Sequence, residues 1–315
     1  MRIASLVPSA TEALFALGLG TDVVAVTHEC DWPAEARRLP RLTSSVIEAG
    51  LPPADVDRQV RDLTARGEAI YTLDARALER VRPDLIVTQE LCAVCAVSYD
   101  DVRRVASRLP SAPAVLSLDP QNLAEVLADI PRLARACDAA EHGYSLLHRL
   151  RERLASVAGL VGDAQARPRT LALEWMDPPY VGGHWVPDMI ELAGGEDVIG
   201  ISGAKSRVPT AQELAATRPD LVVAMPCGLD AGEAAAQARA NPDIIRRLGA
   251  GSAFAVDAAA SFSRPGPRLV DGVELLAHLL HPDLAPAPRG LDWVPLPDLA
   301  TSAPRRAGHS GERRP

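Results

Sequence analysis

The chain has 315 residues, about the length of two ordinary domains, and 47% of them are hydrophobic, so it can bury substantial cores. Its 33 basic and 41 acidic residues give a net charge of −8, and the basic residues form no patch, which argues against a nucleic-acid partner. No apolar stretch approaches the roughly 18 to 20 residues that cross a bilayer, so no membrane span is predicted.

Residues 1–121 are predicted to form an N-terminal α/β domain. Residues 2–6 (RIASL) form a strand, and Ser9 with Glu12 three positions later predicts a capping box at the start of the next helix. Further strands are predicted at residues 22–27, 69–73, 82–88 and 114–118. Together they predict a sheet with helices in its connections.

A connecting helix is predicted over residues 122–166, because Leu and Val recur there at helical spacing, with an interruption at Pro131. Residues 167–283 then form a C-terminal α/β domain. Its predicted strands and helices are 170–173, 186–192, 218–223, 243–248, 253–257 and 269–280. Residues 284–315 are rich in Pro, Arg, Gly and Ser, and this composition predicts a disordered tail.

A short repeat relates the two halves. RPDLIV at residues 82–87 returns as RPDLVV at residues 218–223, each after an amphipathic stretch and each before a cysteine-bearing loop. Each copy reads as a helix, a turn at the proline and a buried strand. The predicted fold is therefore α/β, with two Rossmann-like domains that contain parallel sheets, a long connecting helix and a ligand cleft between the domains.

The unusual residues follow directly after predicted strands. They are His28 and Cys30, Cys92 and Cys95, the segment 174–185 (EWMDPPYVGGHW), and Cys227. Ligands of open parallel sheets bind beyond the carboxyl ends of the strands, so these loops are expected to line one cleft. Gly182 and Gly183 suggest that another part of the backbone approaches closely there.

The cysteines support a different hypothesis. Cys30, Cys92, Cys95 and Cys227 all lie in predicted strand-end loops, and four converging thiolates could hold zinc or an iron–sulfur cluster, with His28 as a substitute ligand. A lone CxxC is also compatible with thiols that only pack, as predicted for Cys137. A cytosolic metal or iron–sulfur protein is therefore the alternative function.

Several ordered motifs resemble the cobalamin-binding-protein family, within the class III periplasmic metal-cofactor receptors that have a helical backbone. The motifs are ASLVPSATEALFALGLG, HECDWP, RPDLIV, EWMDPPYVGGHW, MPCG and SRPGPRLVDG, and the resemblance covers roughly residues 2–283. It implies a cobalamin or related corrinoid held between two α/β domains joined by one long helix, as in the substrate-binding component of an ABC importer. It implies no enzyme, and no triad, P-loop or dinucleotide fingerprint argues for one.

A corrin has flat apolar faces and an edge that carries amides, so its site needs aromatic walls and a few polar groups. Either His28 or His184 could approach the cobalt, and Trp185→Ala is expected to weaken binding while sparing the fold. The candidate cofactor-binding residues are His28, Trp32, Glu90, Trp175, Tyr180, His184, Trp185 and Arg264.

The expected location comes from the N-terminus. Met1 and Arg2 lead directly into IASLV without the basic, apolar and small-residue regions of a signal peptide, so a cytoplasmic protein is expected. A permease or a cofactor-handling protein is the expected partner, and an enzyme or chaperone that modifies or transfers the cofactor is the third possibility.

Overall fold

The computed structural model describes residues 1–48, 50–89 and 99–300. In the N-terminal half the strands are β1 (Ile3–Ser5), β2 (Val23–Ala25), β3 (Thr43–Ser45), β4 (Tyr71–Leu73), β5 (Leu85–Thr88) and β6 (Ala114–Ser117). In the C-terminal half they are β7 (Arg169–Met176), β8 (Pro179–Val181), β9 (Glu196–Asp197), β10 (Leu221–Ala224), β11 (Ser252–Val256) and β12 (Trp293–Pro295).

The helices connect and cover these strands. They are α1 (Pro8–Ala16), α2 (Pro53–Ala65), α3 (Ala75–Val81), α4 (Tyr99–Ala106), α5 (Leu123–Ala136), α6 (Ala140–Val161), α7 (Val186–Leu192), α8 (Ala211–Ala216), α9 (Ala231–Ala240), α10 (Pro242–Leu248), α11 (Ala258–Ser261) and α12 (Leu269–Leu280). Three of them, α7, α10 and α12, match the predicted helices to within a residue.

Each half contains a parallel sheet, as predicted. The N-terminal sheet has the order β2-β1-β5-β6, and all of its neighbours are parallel. In the C-terminal sheet β7, β10 and β11 are parallel neighbours, while β8 and β12 lie antiparallel at its two edges. The predicted strand at 69–73 is not part of the main sheet, because β4 pairs with β3 in a separate antiparallel ribbon.

The repeated Arg-Pro-Asp makes the same contacts in both halves. Arg82 has a φ of 43° and Arg218 a φ of 42°, so both arginines adopt the left-handed conformation just after a helix, Arg82 directly after α3 and Arg218 two residues after α8. Asp84 accepts the N–H of Arg2 at 2.8 Å, and Asp220 accepts the N–H of Arg169 at 2.9 Å. In each half this aspartate joins the start of the repeated strand to the start of the half's first strand, as expected for a duplicated unit.

The connection between the halves differs from the predicted single helix. Pro131 lies inside α5, and the chain turns between α5 and α6 near Asp138, whose φ is 55°. At Gly143 a Cβ would lie 2.5 Å from Ala134 Cβ, so this glycine lets α6 pack closely on α5. A proline is tolerated within α5 at the cost of one helical hydrogen bond, whereas a left-handed aspartate ends a helix.

One hydrophobic cluster extends through both halves. It includes Ile3 of β1, Leu147 of α6, Leu221 of β10 and Leu276 of α12, all of them buried. The helix α6 has 22 residues and is therefore about 33 Å long, and it packs against α5, α7 and α12. Arg153 of α6 also donates to Glu274 of α12 at 2.8 Å, which adds a polar contact to this packing.

Part of the predicted tail is ordered. β12 pairs antiparallel with β11, and Leu296 and Leu299, which follow it, are 0% and 2% exposed. Disorder was predicted from the abundance of proline and polar residues, but these two leucines pack into the core of the C-terminal half. The prediction is therefore wrong for residues 284–300, while residues 301–315 lie outside the described part.

Candidate functional site

A cleft of about 400 Å³ lies between the two halves. The N-terminal half contributes residues of α2 and the residue that follows β5. The C-terminal half contributes the last part of β7, a residue of β8, residues that follow β10, and nearby loops. The lining residues are Val56, Asp57, Val60, Gln89, Glu174, Trp175, Tyr180, His184, Trp185, Lys205, Ser206, Met225, Cys227, Phe262, Ser263 and Pro265. This volume lies within the range of small-molecule and cofactor sites.

The carboxyl ends of three strands meet at this cleft. Gln89 follows β5, Glu174 and Trp175 lie in the last part of β7, and Met225 and Cys227 follow β10. Parallel strands bring their carboxyl ends to one edge of a sheet, and here the edges of both sheets face the same space. The predicted position of the cleft agrees with this arrangement.

Aromatic side chains form much of the wall. Trp185 is only 6% exposed, and its Nε1–H donates to the carbonyl of Phe262 at 2.7 Å. Trp175 is partly buried, and its Nε1 has no hydrogen-bond partner among the described residues. The hydroxyl of Tyr180 donates to Asp57 Oδ1 at 3.3 Å, and this bond joins β8 to α2 across the cleft.

Glu174 is an acid at the apolar wall of the cleft. Its Oε1 accepts the N–H of Gly183 at 3.4 Å, and the Ser206 hydroxyl also hydrogen-bonds to the carboxyl group. Burial raises the pKa of Glu174 to about 7, although both hydrogen bonds oppose the rise. Near neutral pH the site therefore contains both the neutral and the charged form of this group.

His184 is partly buried and stacks on Trp185, with 5.4 Å between the ring centroids. Burial and the nearby charge of Lys205 lower the pKa of His184, so its imidazole is neutral at physiological pH. Nδ1 is buried and has no hydrogen-bond partner in the described residues. A neutral imidazole beside an apolar cleft is chemically able to coordinate a metal.

Gly183 allows the close backbone approach that the sequence predicts. A Cβ at this position would lie 2.5 Å from the Ala204 carbonyl oxygen and 2.5 Å from the Ser206 nitrogen. We expect Gly183→Ala to shift the 204–206 loop and to lower the free energy of unfolding by about 1–3 kcal/mol, as overpacking does. Urea unfolding measures this change, and Gly159→Ala, where nothing lies within 4 Å, is the control. Equal stability of the two variants would contradict the contact.

Three predicted ligand residues, His28, Trp32 and Arg264, lie outside the cleft lining. The Nδ1 of His28 is 2.7 Å from the Thr43 hydroxyl, so this ring packs against the β3–β4 ribbon. Trp32 is 50% exposed, and the Arg268 guanidinium lies 4.6 Å from its ring centroid. Glu90, a fourth candidate, lies outside the described residues.

Arg264 joins the two halves instead of facing the cleft. Its Nη1 donates to Glu12 at 3.0 Å and to Asp31 at 2.6 Å, and its Nη2 donates to the carbonyl of Glu29 at 3.2 Å. Glu12 is therefore not part of a capping box, since α1 begins at Pro8 without a side-chain cap. Ion pairing with a distant arginine replaced the local contact that the spacing suggested.

The four-cysteine site is not supported. Cys30 is 1% exposed, and its sulfur lies 3.1 Å from the hydroxyls of both Thr11 and Thr27. Burial raises the pKa of Cys30, which disfavours the thiolate that a metal needs. Cys227 lines the cleft, and Cys92 and Cys95 lie outside the described residues. Among described residues, no three His, Cys, Asp or Glu side chains group as metal ligands.

Two parts of the cleft were not predicted from the sequence, the wall that α2 contributes and the 204–206 loop. Val56 and Val60 are four residues apart and therefore share one face of α2. Their spacing indicates an apolar helix face, but it does not indicate which part of the protein this face meets. Lys205 is the only lysine of the chain, but nothing local indicates that its loop returns to Gly183.

Known proteins share this architecture. A periplasmic heme binding protein from Pseudomonas aeruginosa superposes with a TM-score of 0.67 at 19% identity over 94% of each chain. The periplasmic vitamin B12 binding protein BtuF of Vibrio cholerae gives a TM-score of 0.63 at 21% identity over 89% of this chain and 96% of that one. These two structures establish a common fold.

A curated relative matches by sequence. A vitamin B12-binding protein of Vibrio cholerae is 24% identical over 214 residues, which are 67% of this chain. The matched region spans 64% of the length of that relative. The resemblance found in the motifs is thus confirmed, and the similar proteins are themselves named as binding proteins.

The prediction of a cytoplasmic protein is wrong. It depended on the first residues of the sequence, whereas the similar proteins of known structure are periplasmic. The model of the family described as periplasmic binding protein matches residues 3–247, more than three quarters of the chain. With its two α/β halves, helical connection and interdomain cleft, this chain belongs to the periplasmic binding protein family.

Proposed function

We propose that this chain is the ligand-binding component of an importer and that its cleft holds a metal-centred tetrapyrrole, with a corrinoid as the preferred ligand. The observation that carries the proposal is the cleft of about 400 Å³ with Trp175, Tyr180 and Trp185 along its wall. Flat apolar faces pack well on aromatic rings, and the few polar groups can recognise the edge of the ligand.

The two sides of the cleft offer different surfaces to such a ligand. Val56 and Val60 of α2 provide an aliphatic surface, and the aromatic residues of the C-terminal half provide the other. A planar molecule between them would bury both of its faces, and burial of apolar area is the main source of affinity at such sites. Gln89, Ser206 and Ser263 supply neutral hydrogen-bonding groups at the same cleft.

Heme is the second candidate ligand, and His184 is the observation that favours it. Its imidazole is kept neutral by burial, and imidazole is a common axial ligand of heme iron. The Pseudomonas aeruginosa protein of the same fold is a heme binding protein, and BtuF binds vitamin B12, so the fold itself is compatible with both ligands.

The expected partner is a permease that receives the ligand. In the described part of the chain no helix is long and apolar enough to cross a bilayer. The curated vitamin B12-binding protein supports this role, although the permease itself is identified only by its class.

The test is a titration of the purified protein with cyanocobalamin and, separately, with hemin. We expect saturable binding of one cyanocobalamin per chain by calorimetry. Val60→Asp introduces a carboxylate into the aliphatic wall and is expected to weaken binding at least about tenfold, because a buried charge is costly. Val46→Asp is the matched control, since Val46 is 46% exposed and does not line the cleft.

Two results would contradict the proposal. Absence of saturable binding of both tetrapyrroles would exclude the ligand class, and unchanged affinity of Val60→Asp would exclude the cleft as the site. Tighter binding of hemin than of cyanocobalamin, with the visible spectrum of a histidine-ligated iron that is lost in His184→Ala, would favour the second candidate.

A further inference from the structure

We propose that Glu174 determines selectivity at the cleft, by favouring a macrocycle whose edge carries neutral amides over one whose edge carries carboxylates. This inference depends on the proposed function, because it assumes that a tetrapyrrole occupies the cleft. Corrinoids such as cobalamin carry amide side chains at the edge of the ring, whereas heme carries two propionates. The charge of the lining residues can therefore discriminate between the two.

The position of Glu174 is fixed by its neighbours. It lies in β7, and its carboxyl is held by the Gly183 N–H at 3.4 Å and by the Ser206 hydroxyl. Gly183 is itself packed against the 204–206 loop, so both partners of the carboxyl belong to one tightly packed unit. A carboxyl that is held in place at an apolar wall is suited to recognise one particular group of a ligand, because it does not reorient toward other groups.

The cleft offers little positive charge for a carboxylate ligand. Its described lining contains the carboxyls of Asp57 and Glu174, the single cation Lys205, and no arginine. Asp57 is paired with Arg61 at 2.5 Å, but the Arg61 side chain is 60% exposed and is not among the lining residues. A propionate near Glu174 would bring two negative charges together against aromatic walls, where water screens them poorly.

An amide fits Glu174 in either protonation state. The charged carboxylate accepts from the amide N–H, and the neutral acid donates to the amide carbonyl. With a pKa of about 7, Glu174 has both forms available near neutral pH. An acidic ligand group can pair with Glu174 only when one of the two carries a proton, so amide recognition tolerates a wider pH range.

The experiment compares cyanocobalamin with its three monocarboxylate derivatives, in each of which one peripheral propionamide has been hydrolysed to an acid. We expect the wild-type protein to bind at least one of the three acids about tenfold more weakly than cyanocobalamin at pH 8. This is the size expected when a hydrogen bond to a charged group is replaced by repulsion. The derivative with the largest loss identifies the amide that faces Glu174.

Glu174→Gln keeps the size of the side chain and removes its charge. In this variant the monocarboxylate derivative that binds most weakly to the wild-type protein is expected to bind within about threefold of the affinity of cyanocobalamin. The reason is that the repulsion between its carboxylate and the Glu174 carboxylate is then absent. A structural defect would weaken all four ligands alike and leave their ratio unchanged. Glu152→Gln is the control, because Glu152 is 63% exposed on α6, and it should keep the wild-type ratio.

The outcomes separate this inference from the proposed function. If all three acids bind the wild-type protein as tightly as cyanocobalamin does, Glu174 does not select amides, while the tetrapyrrole site stands. Retention of the wild-type ratio in Glu174→Gln would also overturn the inference. The wild-type comparison decides the matter even if the variant does not fold. If no tetrapyrrole binds, the proposed function fails and this inference fails with it.

Discussion

Trp185→Ala is expected to lower the free energy of unfolding by about 3–5 kcal/mol, the range for removing a large aromatic side chain from a core. Trp185 is 6% exposed, belongs to the cluster that both halves share, and donates from Nε1 to the carbonyl of Phe262 at 2.7 Å. The change removes the ring and leaves that carbonyl without its partner. Urea unfolding followed by circular dichroism measures the loss.

Two further variants separate packing from hydrogen bonding. Trp185→Phe keeps most of the apolar volume and loses the indole N–H, so it is expected to cost about 1–2 kcal/mol. Trp32→Ala is the control for removal of a tryptophan, because Trp32 is 50% exposed, and it should cost no more than about 1 kcal/mol. If Trp185→Ala were as stable as Trp32→Ala, the core position of Trp185 would be wrong.

This result would correct the expectation that Trp185→Ala spares the fold. From the sequence, Trp185 was predicted to lie in the wall of the cleft, and it does line the cleft. Its indole nevertheless lies mostly inside the protein, so weaker ligand binding in this variant could follow from unfolding alone. For this reason a test of the cleft requires the smaller and partly exposed Val60.

Arg264→Ala is expected to cost about 3–5 kcal/mol, because it leaves a buried acid without its nearest cation. The Glu12 side chain is 2% exposed, and the other cation near it, Arg268, lies 3.5 Å away. The variant also removes the bond from Arg264 to Asp31, and with it a contact between the two halves. Urea unfolding at fixed pH measures the loss.

The pH dependence of this loss has a definite sign. Burial raises the pKa of Glu12 from 4.5 to about 7 while Arg264 and Arg268 oppose the rise. A carboxyl with a raised pKa in the folded state makes its full contribution to stability below pH 4.5 and loses it as the pH rises through the folded pKa. Without Arg264 that pKa rises further, so the variant should lose more stability at pH 8 than at pH 5.

Arg247→Ala is the matched control. Arg247 pairs with Asp243 at 3.2 Å on the surface of α10, where both side chains are more than two thirds exposed. Such a pair contributes about 0–1 kcal/mol, and its loss should be nearly the same at pH 5 and pH 8. A similar small and pH-independent loss in Arg264→Ala would show that Glu12 does not depend on Arg264.

Local patterns allowed much of the fold to be predicted. The two Arg-Pro-Asp copies predicted a repeated helix, turn and strand, and the unusual residues that follow predicted strands predicted a cleft at the strand ends. These features depend on neighbours in the sequence, or on the rule that parallel strands end at one edge. Trp175, Tyr180, His184 and Trp185 were therefore found among the lining residues.

Long-range partners could not be predicted in the same way. Ser9 and Glu12 have the spacing of a capping box, yet Glu12 pairs with Arg264, which is 252 residues away. The valines of α2 show an apolar face, but only the folded chain shows that this face lines the cleft. Arg264 was interpreted as a ligand residue for the same reason, since its loop gives no sign of the acids that it contacts.

The hydrophobic cluster that runs through both halves has a consequence for how this protein can evolve. A gene duplication usually gives two units that can drift, be exchanged or be lost separately. Here Ile3 and Leu221, from the sheets of the two halves, are buried in the same cluster. A substitution that disrupts the packing of this cluster in one half is therefore expected to lower the stability of the other half as well. Selection for stability then acts on the two halves together.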